Sequence, residues 1–470
     1  MKIKVIGALP KAAPGDVLCR FKNLEDGTEG RRGEGKGLVV KAELGRVVFD
    51  INVAAVGAYE PDEARRVAGA LSLKQSEKLG AKRLFWSVEE ADLKYVEDLL
   101  TGALLCSYRF DRFKKKNSKN KKGTLFVAAG KRAAALKKIL KRLEDIDTGV
   151  VIARDLANTP PNHLTPQDLA TAARRYARTF GLTFRVLRGE ALRRGHFAGL
   201  LAVGGGSRHP PVLFELGWKP RRVKRGARPL CFVGKGITFD SGGLDLKPSK
   251  GMWQMKGDMS GAACVIGTLA AVSRLKLPVP VLGVVAAAEN LPGPAAYRQG
   301  DVIRYRNGTT VEIRSTDAEG RLILADALLY AQQVRRQRRI VEFSTLTGAC
   351  MRALGRQYSG LFSRSEELKE AVKAAAASTG ERLWELPLHP EYRSQLESSV
   401  ADIQNVGGPF AGAQTAALFL HEFIEEGTQY VHIDIAGTFM VEKEEKYWGQ
   451  PGATGVGVRL AVALAEAEVR

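Results

Sequence analysis

At 470 residues the chain is longer than one ordinary hydrophobic core sustains, so two or three domains are expected. Its 45% hydrophobic and 26% charged residues exclude a chain too polar to bury a core. The net charge of +21 exceeds what solubility requires and would concentrate anionic partners at the surface.

Lys and Arg are clumped, in RFKKKNSKNKKG at 112–123, KRAAALKKILKRL at 131–143, KPRRVKRGAR at 219–228 and RRQRR at 335–339. Two readings stay open for these runs: solvated loops and helix faces, or a surface for nucleic acid or another acidic partner. Aromatic residues are not interleaved with them, which argues against a platform for stacking single-stranded bases. No apolar run reaches the ~18 residues of a membrane span. The opening MKIKVIGALPKAAPGD has neither an apolar core of signal-peptide length nor a small-residue cleavage pattern, so the expectation is a cytoplasmic protein without a membrane partner. Cys19, Cys106, Cys231, Cys264 and Cys350 are scattered and never in CxxC spacing. Buried thiols are expected rather than disulfides or a thiolate zinc site.

In chain order, residues 1–130 alternate β-rich runs (MKIKVIGAL, GLVVKAEL, RVVFDINVAAVGAY, TLFVAAG) with the helical patterns DEARRVAGALSLKQSEKLG and SVEEADLKYVEDLLTGALLCSYRF. This predicts a smaller N-terminal α/β domain. The glycine-rich GTEGRRGEGKG at 27–37 lacks the GxxxxGK[ST] spacing of a phosphate loop and is expected to be a turn or a mobile loop. Residues 131–157 carry apolar residues at helical spacing and predict a connecting helix, or two helices meeting near Thr148 and Gly149. NTPPNHLTP stops that helix, and Thr165 with Pro166 has the capping chemistry to start the next.

Residues 158–470 predict a larger catalytic domain. FRVLRG, PVLFELGW, PLCFVG, VPVLGVVAAAE, IVEFSTL and YVHIDIAG form apolar strand patterns, with helices such as GAACVIGTLAAVSRL and GRLILADALLYAQQVRRQ between them. The predicted architecture is α/β/α, a mixed central sheet covered by helices on both faces, and ligands gather at the strand ends of such sheets.

Two stretches at those ends carry the chemistry. CFVGKGITFDSGGLDLKPSKGMWQMKGDMSGAACVIGTL, at 231–269, holds Lys235, Asp240, Lys247 and Asp258; STDAEGRLILADAL, at 315–328, adds Asp317 and Glu319. These acids stand beside Gly, Ser, Thr and Met rather than in solvated charge blocks, and carboxylates drawn into such surroundings need a cation. Two lysines are fewer than four acids. Residue chemistry alone leaves two possibilities, a salt-bridged structural cluster and an oxygen-rich site for two divalent ions suited to hydrolysis. The six histidines show no HExxH pairing and no GxSxG elbow occurs, so neither a histidine zinc site nor a serine hydrolase is supported. His432, in HIDIAG, is expected to be structural.

KGITFDSGGLDLKPSKGMWQMKGDMSGAA and TDAEGRL resemble the leucyl aminopeptidase family of dinuclear metallopeptidases, called M17. RDLANTPPNHLTP, AENLPGPAAYRQGDVI, STLTGAC, HIDIAGT and GATGVGVR extend the likeness over about residues 150–460. The resemblance implies metal ligands at Lys235, Asp240, Asp258, Asp317 and Glu319, with Asp240 and Glu319 bridging two ions, Zn²⁺ and/or Mn²⁺ or Co²⁺. It implies catalytic roles for Lys247, as the cation facing the oxyanion, and Arg321, holding a bicarbonate general base. It also implies substrate contacts at Met255, Ser315, Ala318, Thr345, Leu346 and Gly348. The implied activity is removal of an N-terminal residue, preferably leucine or another bulky apolar one, from peptide substrates by a cytoplasmic homohexamer. The alternative from another class is a DNA-binding family member with a basic surface, with or without peptidase activity. Ser315 departs from the asparagine usual in that motif position, which bears on the subsite. Gln299 stands where a proline is common before GD, and is expected to affect only a loop.

Overall fold

The computed structural model describes the chain except residues 12, 14, 15, 23–37, 44, 45, 58, 116–122 and 470, with the backbone alone at 39–43, 46 and 55. The glycine-rich stretch at 27–37 and most of the lysine tract at 112–123 therefore lie outside the described residues. The chain divides into two units. Met1–Asp147 forms the first with Val441–Pro451; Thr148–Met440 forms the second with Gly452–Arg470.

The first unit holds β1 (Lys2–Ile6), β2 (Asp16–Lys22), β3 (Leu38–Glu43), β4 (Arg46–Asn52), β5 (Arg83–Ser87) and β6 (Thr124–Ala128) in one sheet of order β1-β6-β5-β2-β4-β3. Every pairing is parallel except that of β3 with β4. Alternate side chains serve opposite faces. Cys19, Phe49, Trp86 and Leu125 join the helices Pro61–Lys78 and Leu93–Ser107 in one core, while Leu18, Val48 and Phe85 cluster on the other side. The central strands β2 and β5 escape the apolar-run criterion because each carries charge. Asp16, only 2% exposed, sits opposite Arg83 in register and accepts from its guanidinium at 2.8 and 2.9 Å, which neutralises the interruption.

The helix Ala133–Asn158 runs without a break, and the division between units falls within it, between Asp147 and Thr148. Thr165 and Asp168 then form a reciprocal capping box that starts the helix Pro166–Phe180, as the sequence chemistry predicts.

In the second unit the strands are β7 (Thr183–Arg188), β8 (Val212–Trp218), β9 (Leu230–Asp240) and β10 (Val281–Asn290). After a small sheet of β11 (Val302–Arg304) and β12 (Thr310–Glu312) come β13 (Arg339–Ser344), β14 (Ser359–Ser363) and β15 (Leu383–Glu385). β16 (Ile403–Gln404) completes the small sheet, and β17 (Gln429–Asp434) follows. The large sheet runs β15-β14-β17-β13-β9-β10-β8-β7. Its centre, β17-β13-β9-β10, is parallel, and antiparallel pairings to β14 and β8 make it mixed. The helix Ser260–Leu275 covers one face, pressing on Gly234 and Gly283, whose missing side chains let it approach. The helix Glu319–Leu329 covers the other, packing Leu322 and Ile323 with Cys231, Val233 and Val284. β9 and β10 end together at Asp240 and Asn290, while β13 and β17 end together at Ser344 and Asp434, with Phe343 in register with Gly234.

Part of the excess basic charge is committed to structure. Arg335 pairs with Glu215, Arg338 with Glu425 and Arg339 with Glu468, so the run at 335–339 is tied down by acids. The stretch 219–226 is exposed apart from the half-buried Pro220, and the helix 133–143 turns Leu136, Leu140 and Leu143 inward with its lysines outward. Among the described residues no helix is long and apolar enough to cross a membrane. All five cysteines are buried and free.

Candidate metal centre

The apolar run of β9 carries Lys235 into the interior, 2% exposed, on the face turned toward Glu319. Gly320 makes this approach feasible: a Cβ there would lie 2.6 Å from Lys235 Cε. Lys235 Nζ stands 2.8 Å from Asp258 Oδ2 and 2.9 Å from Glu319 Oε1, and donates to the Thr345 carbonyl at 3.0 Å. β9 ends at Asp240, and the chain reverses through Gly242, whose φ of 89° suits glycine. Lys247 then returns to place Nζ 2.8 Å from Asp240 Oδ2 and against Asp317 Oδ1. The two sequence stretches therefore meet. Asp240, Asp317 and Glu319 each offer an oxygen within 4.8 Å of the others, with Asp258 joined through Lys235.

The electrostatics are those of too many acids for the cations present. Burial disfavours both ammonium groups. The carboxylates of Asp258, Glu319 and Asp240 around Lys235, and of Asp240, Glu319 and Asp317 around Lys247, outweigh it and hold both pKa values above the ordinary lysine range. Asp317 is pushed up to about 6 by burial and by the charges of Asp240 and Glu319, with Lys247 opposing. Glu319 Oε2 is buried without a hydrogen bond. An orphaned carboxylate oxygen, hard oxygen donors and one nitrogen fit a site for divalent cations. Lys235 would join as the neutral amine, its proton displaced by the stronger field of the ion.

Arg321 lies two residues beyond Glu319 on the same helix. Its guanidinium is 6% exposed, donates to the Asn405 carbonyl at 2.8 Å and leaves Nε without a hydrogen bond. Burial lowers its pKa to about 10 against the pull of Glu319 and Asp434. Thr345 follows β13 and donates to Asp258 Oδ1 at 2.6 Å. Leu346 is half-buried beside it, and its N–H donates to Asp434 Oδ1 at 3.2 Å. Gly348 is exposed and opens the helix Gly348–Leu354; Ala318 is buried just before Glu319. Met255 is half-buried, and its carbonyl accepts from the Asp258 N–H at 3.2 Å. Ser315 turns its hydroxyl to Asp245 rather than to the carboxylate cluster.

Residue-type reasoning passed over the groups that hold these side chains. Asn290 Nδ2 donates to Asp240 Oδ1 at 2.8 Å and to the Thr316 carbonyl at 2.9 Å, and Tyr297 OH donates to the same carbonyl at 2.7 Å. Asn405 accepts from the N–H groups of Arg314 and Ser315 and donates to the Ser315 carbonyl at 2.7 Å, while its own carbonyl holds Arg321. Asp434, wholly buried, takes the Thr347 hydroxyl at 2.7 Å and the Ala436 N–H at 3.0 Å, and burial raises its pKa. Asn290 and Asp434 each close an apolar strand with a polar residue, a usable signal. Asn405 offers no such local mark. His432 is fully buried against Glu342 on the neighbouring strand, away from the cluster, as a structural histidine.

Four carboxylates and two lysines converging around the ends of parallel strands define an α/β protein with its charged site where such sheets gather ligands. The chain belongs to the cytosol aminopeptidase family, whose catalytic-domain model matches residues 151–462. It is therefore placed among peptide-cleaving exopeptidases. It is 42% identical over 428 residues to a probable cytosol aminopeptidase of Solibacter usitatus, covering 89% of this chain and 86% of that one. A second, from Geobacter sulfurreducens, is 42% identical over 432 residues, covering 90% and 86%. Among solved structures, the bottromycin maturation enzyme BotP in complex with Mn superposes with a TM-score of 0.87 at 32% identity, covering 97% of this chain and 100% of that one. A tomato leucine aminopeptidase variant gives 0.85 at 28% identity, covering 99% and 96%.

Proposed function

We propose that the protein is a metallo-aminopeptidase that hydrolyses the N-terminal residue of peptides, preferably leucine or another bulky apolar one, using two divalent ions and a bridging water. The observation that carries this reading is the convergence of Asp240, Asp317 and Glu319 within 4.8 Å, with a buried Glu319 oxygen left unpartnered. Lys235, Asp240, Asp258, Asp317 and Glu319 would hold the ions. Zn²⁺ and Mn²⁺ suit this donor set, with Co²⁺ as a substitute. When bound, the ions supply Lewis acidity that acidifies the water and polarises the scissile carbonyl.

The chain's own groups do the rest. Lys247, partly open to solvent, stands ready with a fixed positive charge for the oxyanion that develops in the transition state. Arg321 is rigidly held through Asn405 and has Nε free to hold a bicarbonate that serves as general base. The backbone of Thr345, Leu346 and Gly348 orients the peptide, with Leu346 fixed by Asp434. Met255, Ser315 and Ala318 line the subsite for the first side chain. A free α-amine would be required for binding at the ions, which would restrict cleavage to the chain end. Assembly as a homohexamer and a cytoplasmic setting belong to the same proposal.

The test compares leucyl amide with acetyl-leucyl amide in Mn²⁺ buffer. Cleavage of the first and none of the second is expected. Equal cleavage of both contradicts the reading.

A further inference from the structure

Two positions that depart from the family's usual pattern, Ser315 and Gln299, stand apart in sequence but meet at one carboxylate. Asp245 Oδ2 accepts from the Ser315 hydroxyl at 2.8 Å and from the Thr316 N–H at 2.8 Å. Its Oδ1 accepts from Gln299 Nε2, a donation that a proline at 299 could not make. The Asp245 N–H donates in return to Thr316 Oγ1 at 2.8 Å, and that hydroxyl donates to the Gly242 carbonyl at 2.7 Å. The Ser315 oxygen also accepts from the Asp317 N–H at 3.1 Å. One carboxylate thus ties the loop after β9 to the loop that carries Asp317, about 70 residues further on.

Asp317 needs such a tether more than its neighbours do. Its side chain is 37% exposed, whereas those of Asp240 and Glu319 are 3% and 2% exposed and held by packing. Glu319 begins a helix and Asp240 ends a strand, but Asp317 lies on a loop. Three donors converge on Asp245, which suits an ionised carboxylate that only accepts and forms stronger, charge-assisted bonds.

We propose that Asp245 is a positioning residue, which with Ser315 and Gln299 clamps the Asp317 loop and so sets how tightly the centre holds a divalent ion. This rests on the metal reading of the site given above. It assigns Ser315 a second role: its hydroxyl relays the clamp to the Asp317 backbone. It also turns Gln299 from a loop substitution into the third point of the clamp.

Mn²⁺ binding to metal-stripped full-length protein, followed by calorimetric titration beside thermal melts without metal, tests it. Asp245→Ala weakens Mn²⁺ binding by about 10- to 100-fold, the range usual for groups that orient ligands. Asp245→Asn, which keeps an acceptor for Ser315 and Thr316, restores most of it. Ser315→Ala weakens binding less, and adding it to Asp245→Ala costs little more, because both act through one contact. Asp245→Ala that melts earlier yet binds Mn²⁺ as the parent does would show a merely structural role and overturn the clamp. Additive losses in the double variant would overturn the coupling. A parent protein that takes up no Mn²⁺ would instead sink the metal reading, and the clamp with it.

Discussion

Two groups of buried carboxylates, one in each unit, are handled in opposite ways. In the first, Asp98 on the helix Leu93–Ser107 is met by three cations: Arg65 Nε at 2.9 Å, Lys94 Nζ at 2.9 Å and Arg66 at 3.5 Å. In the second, Asp240, Asp258, Asp317 and Glu319 share Lys235 and Lys247. The first arrangement is what a structural salt-bridge cluster looks like, with positive charge in surplus over the acid it neutralises. The second has the reverse balance, and its strain shows in Asp317, raised to about 6 by burial and its acidic neighbours, and in the unpartnered Glu319 oxygen. On the proposed reading, charge balance, rather than the mere presence of buried acids, separates a fold-stabilising cluster from a site that receives cations.

That contrast predicts different consequences for removing an acid. Asp98→Ala removes the carboxylate shared by Arg65, Lys94 and Arg66, although Arg66 keeps Asp62 at 2.6 Å, and should cost about 2 kcal/mol in urea unfolding, as for lost hydrogen bonds to charged groups, while Mn²⁺ uptake stays at the parent level. A stable Asp98→Ala protein, or one with weakened Mn²⁺ binding, would break the comparison.

A smaller effect concerns a group that resolves burial by giving up its charge. The His421 ring lies edge-on to Tyr430 with Nε2 buried and unpartnered; burial, then the neighbouring Arg364 and His432, push its pKa down to about 3. The folded protein keeps it neutral, whereas the unfolded chain protonates it below about pH 6.5. The unfolded state then binds more protons, so this contribution is intact above about pH 6.5 and is lost as pH falls toward about 3. The loss reaches at most about 1.4 kcal/mol per pH unit. Melting temperatures from pH 7 to 5 should fall less steeply for His421→Leu than for the parent. Parallel slopes would show that His421 does not carry the effect.

How far the sequence reveals all this depends on distance along the chain. Lys235, Asp240, Lys247 and Asp258 sit within one stretch and Asp317, Glu319 and Arg321 within another, so residue type and order display them, although their separate roles come from family likeness. The residues that hold them are hidden. Asn405 reaches Ser315 and Arg321 across 90 and 84 residues with nothing in its local sequence to mark those contacts, and Asn290 reaches Asp240 across 50 with only its place at the end of an apolar strand as a signal. The fold divides similarly. β9, β10, β13 and β17 are buried throughout or nearly so and announce themselves as apolar runs, which is what a sheet covered on both faces requires. β2 and β5 carry the Asp16–Arg83 pair, and β14 and β15 are only five and three residues long, so their pattern is too brief or too polar to stand out.

The most direct test of the central claim is the number of Mn²⁺ ions retained per chain after equilibrium dialysis, counted for the parent and for Glu319→Ala. Glu319 is the acid whose free oxygen the protein itself leaves unsatisfied. The account predicts two ions per chain in the parent and loss of at least one in the variant, together with cleavage of leucyl amide. No retained ion in the parent, or an unchanged count and undiminished cleavage in Glu319→Ala, would contradict it.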